Sequence, residues 1–191
     1  MRKILIASVL MTLPVVGFSA PENFTIDPTH TYPHFKISHL GFSTMHGRFN
    51  KTSGKLTVDS ANKVGSVNIT IDATSVDTGF NKRDDHLRSP DFLNAAEFPE
   101  ITYKSSTVKI KADNSARVEG VLTIMGTSNP VTLDVSKMNC GIHPMDPKKQ
   151  KYVCGFDATA KIKRSDFGIK YGLPAIGDDM ALSFEVEAVR D

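Results

Sequence analysis

Regular alternation of apolar and polar residues recurs along most of the chain, and it restricts the fold more than any other feature. A period of two places alternate side chains on one face of a β-strand, and the polar residues between them suit a face in contact with water. The pattern therefore predicts strands with one buried and one wet face. The alternating sets are Phe35/Ile37/His39, Val67/Ile69/Ile71, Val118/Gly120/Leu122/Ile124, Val131/Leu133/Val135, Phe156/Ala158/Ala160/Ile162 and Leu182/Phe184/Val186/Ala188.

Short segments with the composition of turns separate the predicted strands. The stretches "DSANKVG" (59–65), "KADNSA" (111–116) and "MGTSNP" (125–130) carry Gly, Asn, Asp or Pro where a hairpin reverses. Short connections predict antiparallel neighbours, and about eight such strands lose their exposed edges by closing into a barrel that holds one small ligand. We therefore predict an all-β fold, an antiparallel barrel of about eight strands, while a two-sheet sandwich fits the same pattern.

The first 19 residues have the composition of a secretory signal peptide. Two basic residues precede an apolar run, 4–16, that is too short to span a bilayer, and Gly17 and Ser19 are small residues where a signal peptidase cleaves. We predict cleavage after Ser19 and a single domain over residues 20–191. No cysteine directly follows the apolar run, so we predict an exported product without a lipid anchor at this place.

The charge balance argues against a nucleic-acid partner. Removing residues 1–19 removes two of the 23 basic side chains and leaves 21 basic against 21 acidic residues. The remaining chain has a formal net charge of zero and no basic run, whereas proteins that bind nucleic acid carry a basic patch.

The two cysteines, Cys140 and Cys154, flank a polar loop between two alternating segments. In an exported protein this pair predicts a disulfide. A redox role lacks a Cys-x-x-Cys motif, and a metal site lacks ligands beyond the nearby His143. Cys140 is out of phase with the alternation at 131–135, which predicts a β-bulge near residues 137–139.

The stretch "NKRDDHLRSPDF" (81–92) breaks the alternation. Thr78 is placed to cap a helix over 79–88, and Ser89 with a following proline predicts the start of a second short helix. We expect these helices to form a lid beside the barrel, held shut by Arg83 and Arg88 paired with nearby acids. The predicted lid residues are Phe80, Arg83, Asp84, His86, Leu87 and Phe92, with Phe80, Leu87 and Phe92 facing inward.

Four segments, in this order, resemble the YceI-like family of bacterial secreted proteins. They are "FTIDPTHTYPHFKISHLGFSTMHGRF" (24–49), "SVDTGFNKRDDHLRSPDFLNAAEFPEITYKS" (75–105), "GVLTIMGTSNPVTL" (120–133) and "KRSDFGI" (163–169). The resemblance extends over essentially the whole predicted mature chain, and the cysteine pair marks a subgroup of the family.

The resemblance implies a lipocalin-like barrel whose apolar interior holds a polyisoprenoid or other amphiphilic lipid, in some members an isoprenoid quinone. It also implies a periplasmic location, frequently a homodimer, no cofactor other than the bound lipid, and no catalytic activity. Exchange of such a lipid with a bilayer would require transient contact with the membrane.

The alternation indicates which side chains face the inside of the barrel, and these are the residues expected to line the cavity. Small residues at 120, 158 and 160 favour a hollow barrel because they remove volume where a core would be filled, while a closed, dry core is the alternative. The candidates are Phe35, Ile37, Phe42, Phe49, Val67, Ile69, Ile71, Leu122, Ile124, Phe156, Ala158, Ala160, Ile162 and Phe184.

Three alternative functions remain besides lipid binding. A metal site would use the N-terminal histidines, but strand parity places His34 and His39 on opposite faces, and we predict no metal ligands. A lipid hydrolase would pair His86 with Asp84 or Asp85, yet the chain has no Gly-x-Ser-x-Gly motif, and we predict no catalytic residues. An exported interaction protein without a ligand fits the pattern as well. The histidines in question are His30, His34, His39 and His46.

Overall fold

The computed structural model describes residues 20–191, so the predicted signal peptide lies outside the described residues. This part of the chain forms eleven strands, one α-helix and two short 3₁₀ turns, at 73–75 and 164–167. None of its helices is long and apolar enough to cross a membrane. The elements are β1 (Glu22–Ile26), β2 (Tyr32–His39), β3 (Ser43–Phe49), β4 (Thr52–Asp59), β5 (Val64–Asp72), β6 (Val76–Asp77), α1 (Asn81–Arg88), β7 (Glu100–Ile110), β8 (Ala116–Ile124), β9 (Thr127–Ile142), β10 (Tyr152–Lys163) and β11 (Ile176–Arg190).

The strands form a closed antiparallel barrel with eight positions in its wall. Strands β1 and β2 are successive parts of one position, because both pair with the long β11. In the same way β3 and β4 are successive parts of a second position, since β3 pairs with β2 and β4 pairs with β1. Strands β5 and β6 share a third position, where β6 pairs with β3. Strands β7 to β11 complete the ring. The predicted barrel is confirmed.

A local turn separates β1 from β2. The carboxylate of Asp27 accepts hydrogen bonds from the backbone N–H and the hydroxyl of Thr29, at 2.9 and 2.6 Å. This Asx arrangement reverses the chain briefly, and Pro28 within it has no N–H to donate to a ladder. The chain then rejoins the same edge of β11.

One end of the barrel is closed by a packed cluster and by a disulfide. Cys154 is 1 % exposed and lies directly opposite Cys140 on the neighbouring strand, so the predicted disulfide is confirmed. The register of β9 and β10 shifts by one residue, with 136–137 opposite Asp157, which confirms the predicted bulge. The cluster contains Phe24, Ile26, Leu56, Val58, Cys154, Val186 and Ala188.

The segment after β6 contains one helix rather than two. Helix α1 begins at Asn81, and its N-cap residue, Phe80, makes no side-chain cap, so the cap predicted at Thr78 is wrong. Thr78 bonds to Asp84 instead, whose carboxylate accepts hydrogen bonds from both the backbone N–H and the hydroxyl of Thr78. Gly79, with a φ of 77°, supplies the left-handed residue between them.

The predicted second helix is absent from the described chain, where turns follow Ser89. The carbonyl of Ser89 accepts hydrogen bonds from both Phe92 and Asn94, and the N–H of Leu93 returns to Leu87. These bonds fold the segment back against α1 instead of continuing an i to i+4 ladder.

A candidate lipid-binding cavity

The half of the barrel away from the disulfide is hollow. A cavity of about 300 Å³ lies between β2, β3, the first half of β11 and α1. Inward side chains of these elements are only half-buried because they face this space, as at Phe35, Ile37 and Leu182. Ligand pockets in proteins are of this apolar, concave kind.

Eight of the fourteen cavity residues proposed from parity lie at its wall. They come from six different strands, which the barrel brings together although they are up to 149 positions apart in the chain, from Phe35 to Phe184. The eight are Phe35, Ile37, Phe49, Ile71, Leu122, Ile124, Ile162 and Phe184.

Five further candidates face inward but do not line the cavity. Val67, Ile69 and Phe156 pack against both hydrophobic clusters, between the hollow half and the closed end. Ala158 and Ala160, 2 and 8 % exposed, belong to the larger cluster. Their placement in the cavity is wrong because parity selects the inner face along the whole strand, whereas the cavity occupies only part of its length.

The small residues do not hollow the barrel where they were expected to. A Cβ atom on Gly120 would lie 2.6 Å from the ring of Tyr103, so this aromatic ring already fills the space that the glycine leaves. The Tyr103 hydroxyl lies 3.0 Å from the carbonyl oxygen of Val118 and 3.1 Å from that of Val131, to either of which it can donate. Gly120 therefore permits packing and does not create a void.

Phe42, the fourteenth candidate, is 90 % exposed and lies in the turn between β2 and β3, so its assignment to the cavity is wrong. Leu40 and Gly41 have φ values of 55° and 72° there. These left-handed residues end the alternation of β2, so parity says nothing about the side chain that follows them.

The lid residues divide between the cavity and the surface. Arg83, His86, Leu87 and Phe92 line the cavity, whereas the inward position expected for Phe80 is wrong. Phe80 is 55 % exposed and its ring lies 5.8 Å from the guanidinium of Arg83. It precedes the first turn of α1, and the inward face of the helix begins only after it.

Only one of the two arginines of α1 pairs with an acid as predicted. Arg88 pairs with Asp85 at 2.6 Å, as expected. Arg83 has no carboxylate within 4 Å in the described chain; it donates from Nε to the Thr78 hydroxyl, at 2.7 Å, and from Nη2 to the Thr78 carbonyl, at 2.8 Å. Because Thr78 also donates to Asp84, which is 5 % exposed, the acid and the arginine are joined through this threonine.

His86 has a different acid partner from either one considered for a hydrolase. Its Nε2 lies 2.9 Å from Asp91, while Asp84 is bonded to Thr78 and Asp85 to Arg88. Its ring meets the rings of Phe92 and Tyr171 edge to face, at 5.0 and 5.1 Å. These contacts fix the imidazole as part of an aromatic wall at the α1 side of the cavity.

Several lining residues were missed by the parity argument. Met180 continues the alternation of Leu182 and Phe184 along β11 and could have been found by extending it. The residues Ile169 and Tyr171 lie in the irregular segment before β11, where no periodic signal exists.

Arg164 is a buried cation at the wall of this cavity. It is 2 % exposed and donates to the carbonyls of Ile169, Ile176 and Gly177, at 3.1, 3.0 and 2.8 Å. Burial lowers the pKa of Arg164, and the charge of nearby Asp178 opposes that shift. The guanidinium remains charged, since the pKa of arginine starts far above neutrality.

The N-terminal histidines lie in two separate places, one beside Asp27 and one at the cavity. His30 lies 3.2 Å from Asp27 and 3.9 Å from Glu187, a group with the donor atoms of a metal site, but Lys151 lies 3.8 Å from the same Asp27 oxygen. Hydrogen bonds from Thr29 lower the pKa of Asp27 to about 2, which keeps it an anion. The remaining members, His34, His39 and His46, line the cavity.

Comparison with known proteins identifies close relatives over nearly the full chain. The family profile described as a YceI-like domain matches residues 24–188. The chain is 38 % identical to Protein YceI of Escherichia coli over 177 residues, which cover 91 % of this chain and 90 % of that protein.

Solved structures share the fold. BcnA of Burkholderia cenocepacia superposes with a TM-score of 0.73 at 25 % identity, covering 85 % of this chain and 98 % of that one. A polyisoprenoid binding domain from Saccharophagus degradans, implicated in plant cell wall breakdown, superposes with a TM-score of 0.62 at 17 % identity, covering 88 % of this chain and 98 % of its own.

Proposed function

Because the chain belongs to the YceI-like family, we propose that it binds the apolar chain of an isoprenoid or other amphiphilic lipid inside the barrel and carries or stores it in the periplasm. The observation that carries the proposal is the hollow half of the barrel, whose wall is built from half-buried apolar side chains such as Phe35, Ile37 and Leu182. The polyisoprenoid-binding domain of Saccharophagus degradans, which has the same fold, supports this ligand class.

The energetics of an apolar cavity suit a carrier. Burying a methylene group away from water contributes about 0.8 kcal/mol, so a long chain scarcely leaves the protein for water. A bilayer is as apolar as the cavity, and transfer between them is therefore close to neutral for the chain. The difference depends on packing and on contacts with the polar head of the lipid, which permits both loading and release, through the transient membrane contact that the proposal includes.

The first test is mass spectrometry of an organic extract of the purified protein. We expect a lipid with a long apolar chain, and an isoprenoid quinone is one member of this class that family membership favours. We also expect Leu182→Trp to remove most of it, because the indole would fill the cavity that Leu182 lines. Substitution of Ala158 or Ala160 would be a poor choice, because both are packed in the core and a larger side chain there would destabilise the barrel.

A matched substitution on the outer face serves as the control. Val121 is 42 % exposed and belongs to β8, outside the cavity wall. Val121→Trp should keep the lipid content of the unchanged protein, and both variants should retain its β-type circular dichroism. An extract without lipid, together with no uptake of lipid from vesicles, would instead favour an interaction protein.

A further inference from the structure

The polar side chains at the wall of the cavity are two arginines, four histidines, Thr78 and Tyr171. Two arginines line it, Arg83 and Arg164, and no aspartate or glutamate does, within residues 20–191. The same stretch contains many acidic side chains, so this absence is a property of the cavity. An apolar cavity with cations and no carboxylate favours an anionic group over a cationic one.

Arg164 contributes positive charge that forms no ion pair with a carboxylate among the described residues. Its three hydrogen bonds go to carbonyl oxygens, which are neutral, and they use three of its five N–H groups. Asp178, the acid whose charge acts on Arg164, accepts hydrogen bonds from the N–H and the hydroxyl of Ser165, at 2.9 and 2.8 Å. A buried cation without a direct counter-ion is costly, and an anion brought into the cavity would reduce that cost.

Arg83 provides the donors within reach of a ligand. Its Nε and Nη2 atoms bond to Thr78, and among the described residues Nη1 has no hydrogen-bond acceptor. The guanidinium lines the cavity on the α1 side, beside the exposed ring of Phe80. A polar head at this place would therefore meet a fixed cation with free N–H groups while the apolar chain extends inward.

We propose that the lipid bound in this cavity carries one anionic head, a phosphate or a carboxylate, and that Arg83 binds this head while Arg164 adds to the attractive potential from within. This inference rests on the proposed lipid-binding function and narrows its ligand class to lipids with an anionic head, in place of the uncharged head of an isoprenoid quinone. An alcohol of the same chain length gains no charge-assisted hydrogen bond, and an amine meets two like charges.

The test compares three lipids that share one apolar chain. Geranylgeranyl phosphate, geranylgeraniol and geranylgeranylamine are titrated into delipidated protein that holds Nile red in the cavity, and displacement of the dye reports the affinity. We expect the phosphate to bind at least about tenfold more tightly than the alcohol, the change that one charge-assisted hydrogen bond produces. We expect the amine to bind most weakly.

Arg83→Gln identifies the group that selects the head. This variant should lose most of the preference for phosphate over alcohol while binding the alcohol within about twofold of the unchanged protein. General damage to α1 would weaken the binding of the phosphate and of the alcohol equally. The ratio of the two affinities therefore distinguishes recognition of the head from a structural role of Arg83. Arg88→Gln is the matched control, because Arg88 lies on the same helix, pairs with Asp85 and does not line the cavity.

The possible results distinguish a failure of this inference from a failure of the proposed lipid-binding function. Equal affinities for the three lipids, or tightest binding of the alcohol or the amine, would overturn the anionic head while leaving lipid binding intact. A preference for phosphate that survives Arg83→Gln would overturn the role of Arg83. Binding of none of the three lipids would count against the proposed function itself.

Discussion

At the scale of single residues, the pair of Tyr103 and Gly120 explains why volume counting from the sequence fails. The sequence predicts missing volume at the glycine, but the ring of a residue on the neighbouring strand occupies the space. The alternation identifies which side chains face inward. It does not identify which of them reach across to fill a neighbour's space, because that depends on rotamers and strand register.

Tyr103 also predicts a dependence of stability on alkaline pH. Burial raises the pKa of its hydroxyl to about 12, while the unfolded chain ionises near the ordinary value of about 10. Between these values the folded state holds a proton that the unfolded state has lost, so the free energy of unfolding falls as the pH rises. We expect Tyr103→Phe to remove this part of the fall, measured by urea unfolding from pH 9 to 12.

Tyr32→Phe is the control for this measurement, because the Tyr32 hydroxyl donates to the Thr29 carbonyl at an exposed position. It should leave the alkaline slope unchanged. A Tyr103→Phe variant with the full slope would show that another group is responsible.

At the scale of secondary-structure elements, helix α1 could be predicted from composition but its start could not. Thr78 is a good N-cap residue by type, and the break in alternation placed the helix correctly within two residues of its observed start. The predicted cap is wrong because Thr78 instead donates its hydrogen bonds to Asp84, a residue inside the helix and six positions later in the chain. Propensity rules for caps do not include such a reversal.

This network predicts unequal roles for two adjacent acids of α1. Asp84→Ala would leave the N–H of Thr78 without its acceptor in a part-buried position, and we expect a loss of about 1–3 kcal/mol in the free energy of unfolding. Asp85 forms a pair with Arg88, its side chain is 74 % exposed, and Asp85→Ala should change stability by less than about 1 kcal/mol. Urea denaturation of both variants measures the difference, and equal losses would contradict it.

At the scale of the whole molecule, the barrel has a packed end that carries the disulfide and a hollow end that contains the cavity. Cys154 and Ile162 lie on one strand, eight residues or about 26 Å apart, and only Ile162 lines the cavity. The sequence predicts the barrel because alternation and short turns recur along most of the chain. The division between packed and hollow halves depends on how opposite walls meet, which has no local signal.

This separation predicts that the disulfide affects stability without affecting the ligand. The bond joins residues 14 positions apart, and closing such a loop contributes about 3 kcal/mol in the chain-entropy description. The double variant Cys140→Ser/Cys154→Ser should lose about that much in guanidinium unfolding and keep its lipid affinity in the dye-displacement titration. A parallel loss of affinity would show that the two ends are coupled.

The short pairing between β3 and β6 has a kinetic consequence. Only Arg48 and Phe49 of β3 pair with β6, so within the described chain residues 43–47 have no strand partner on that side, and the segment around Thr78 that leads into α1 lies against Gly47 instead. The barrel ladder therefore does not have to break when α1 moves aside. Exchange of a bound lipid would then run on the microsecond-to-second timescale of a loop displacement, while the barrel around it unfolds far more slowly.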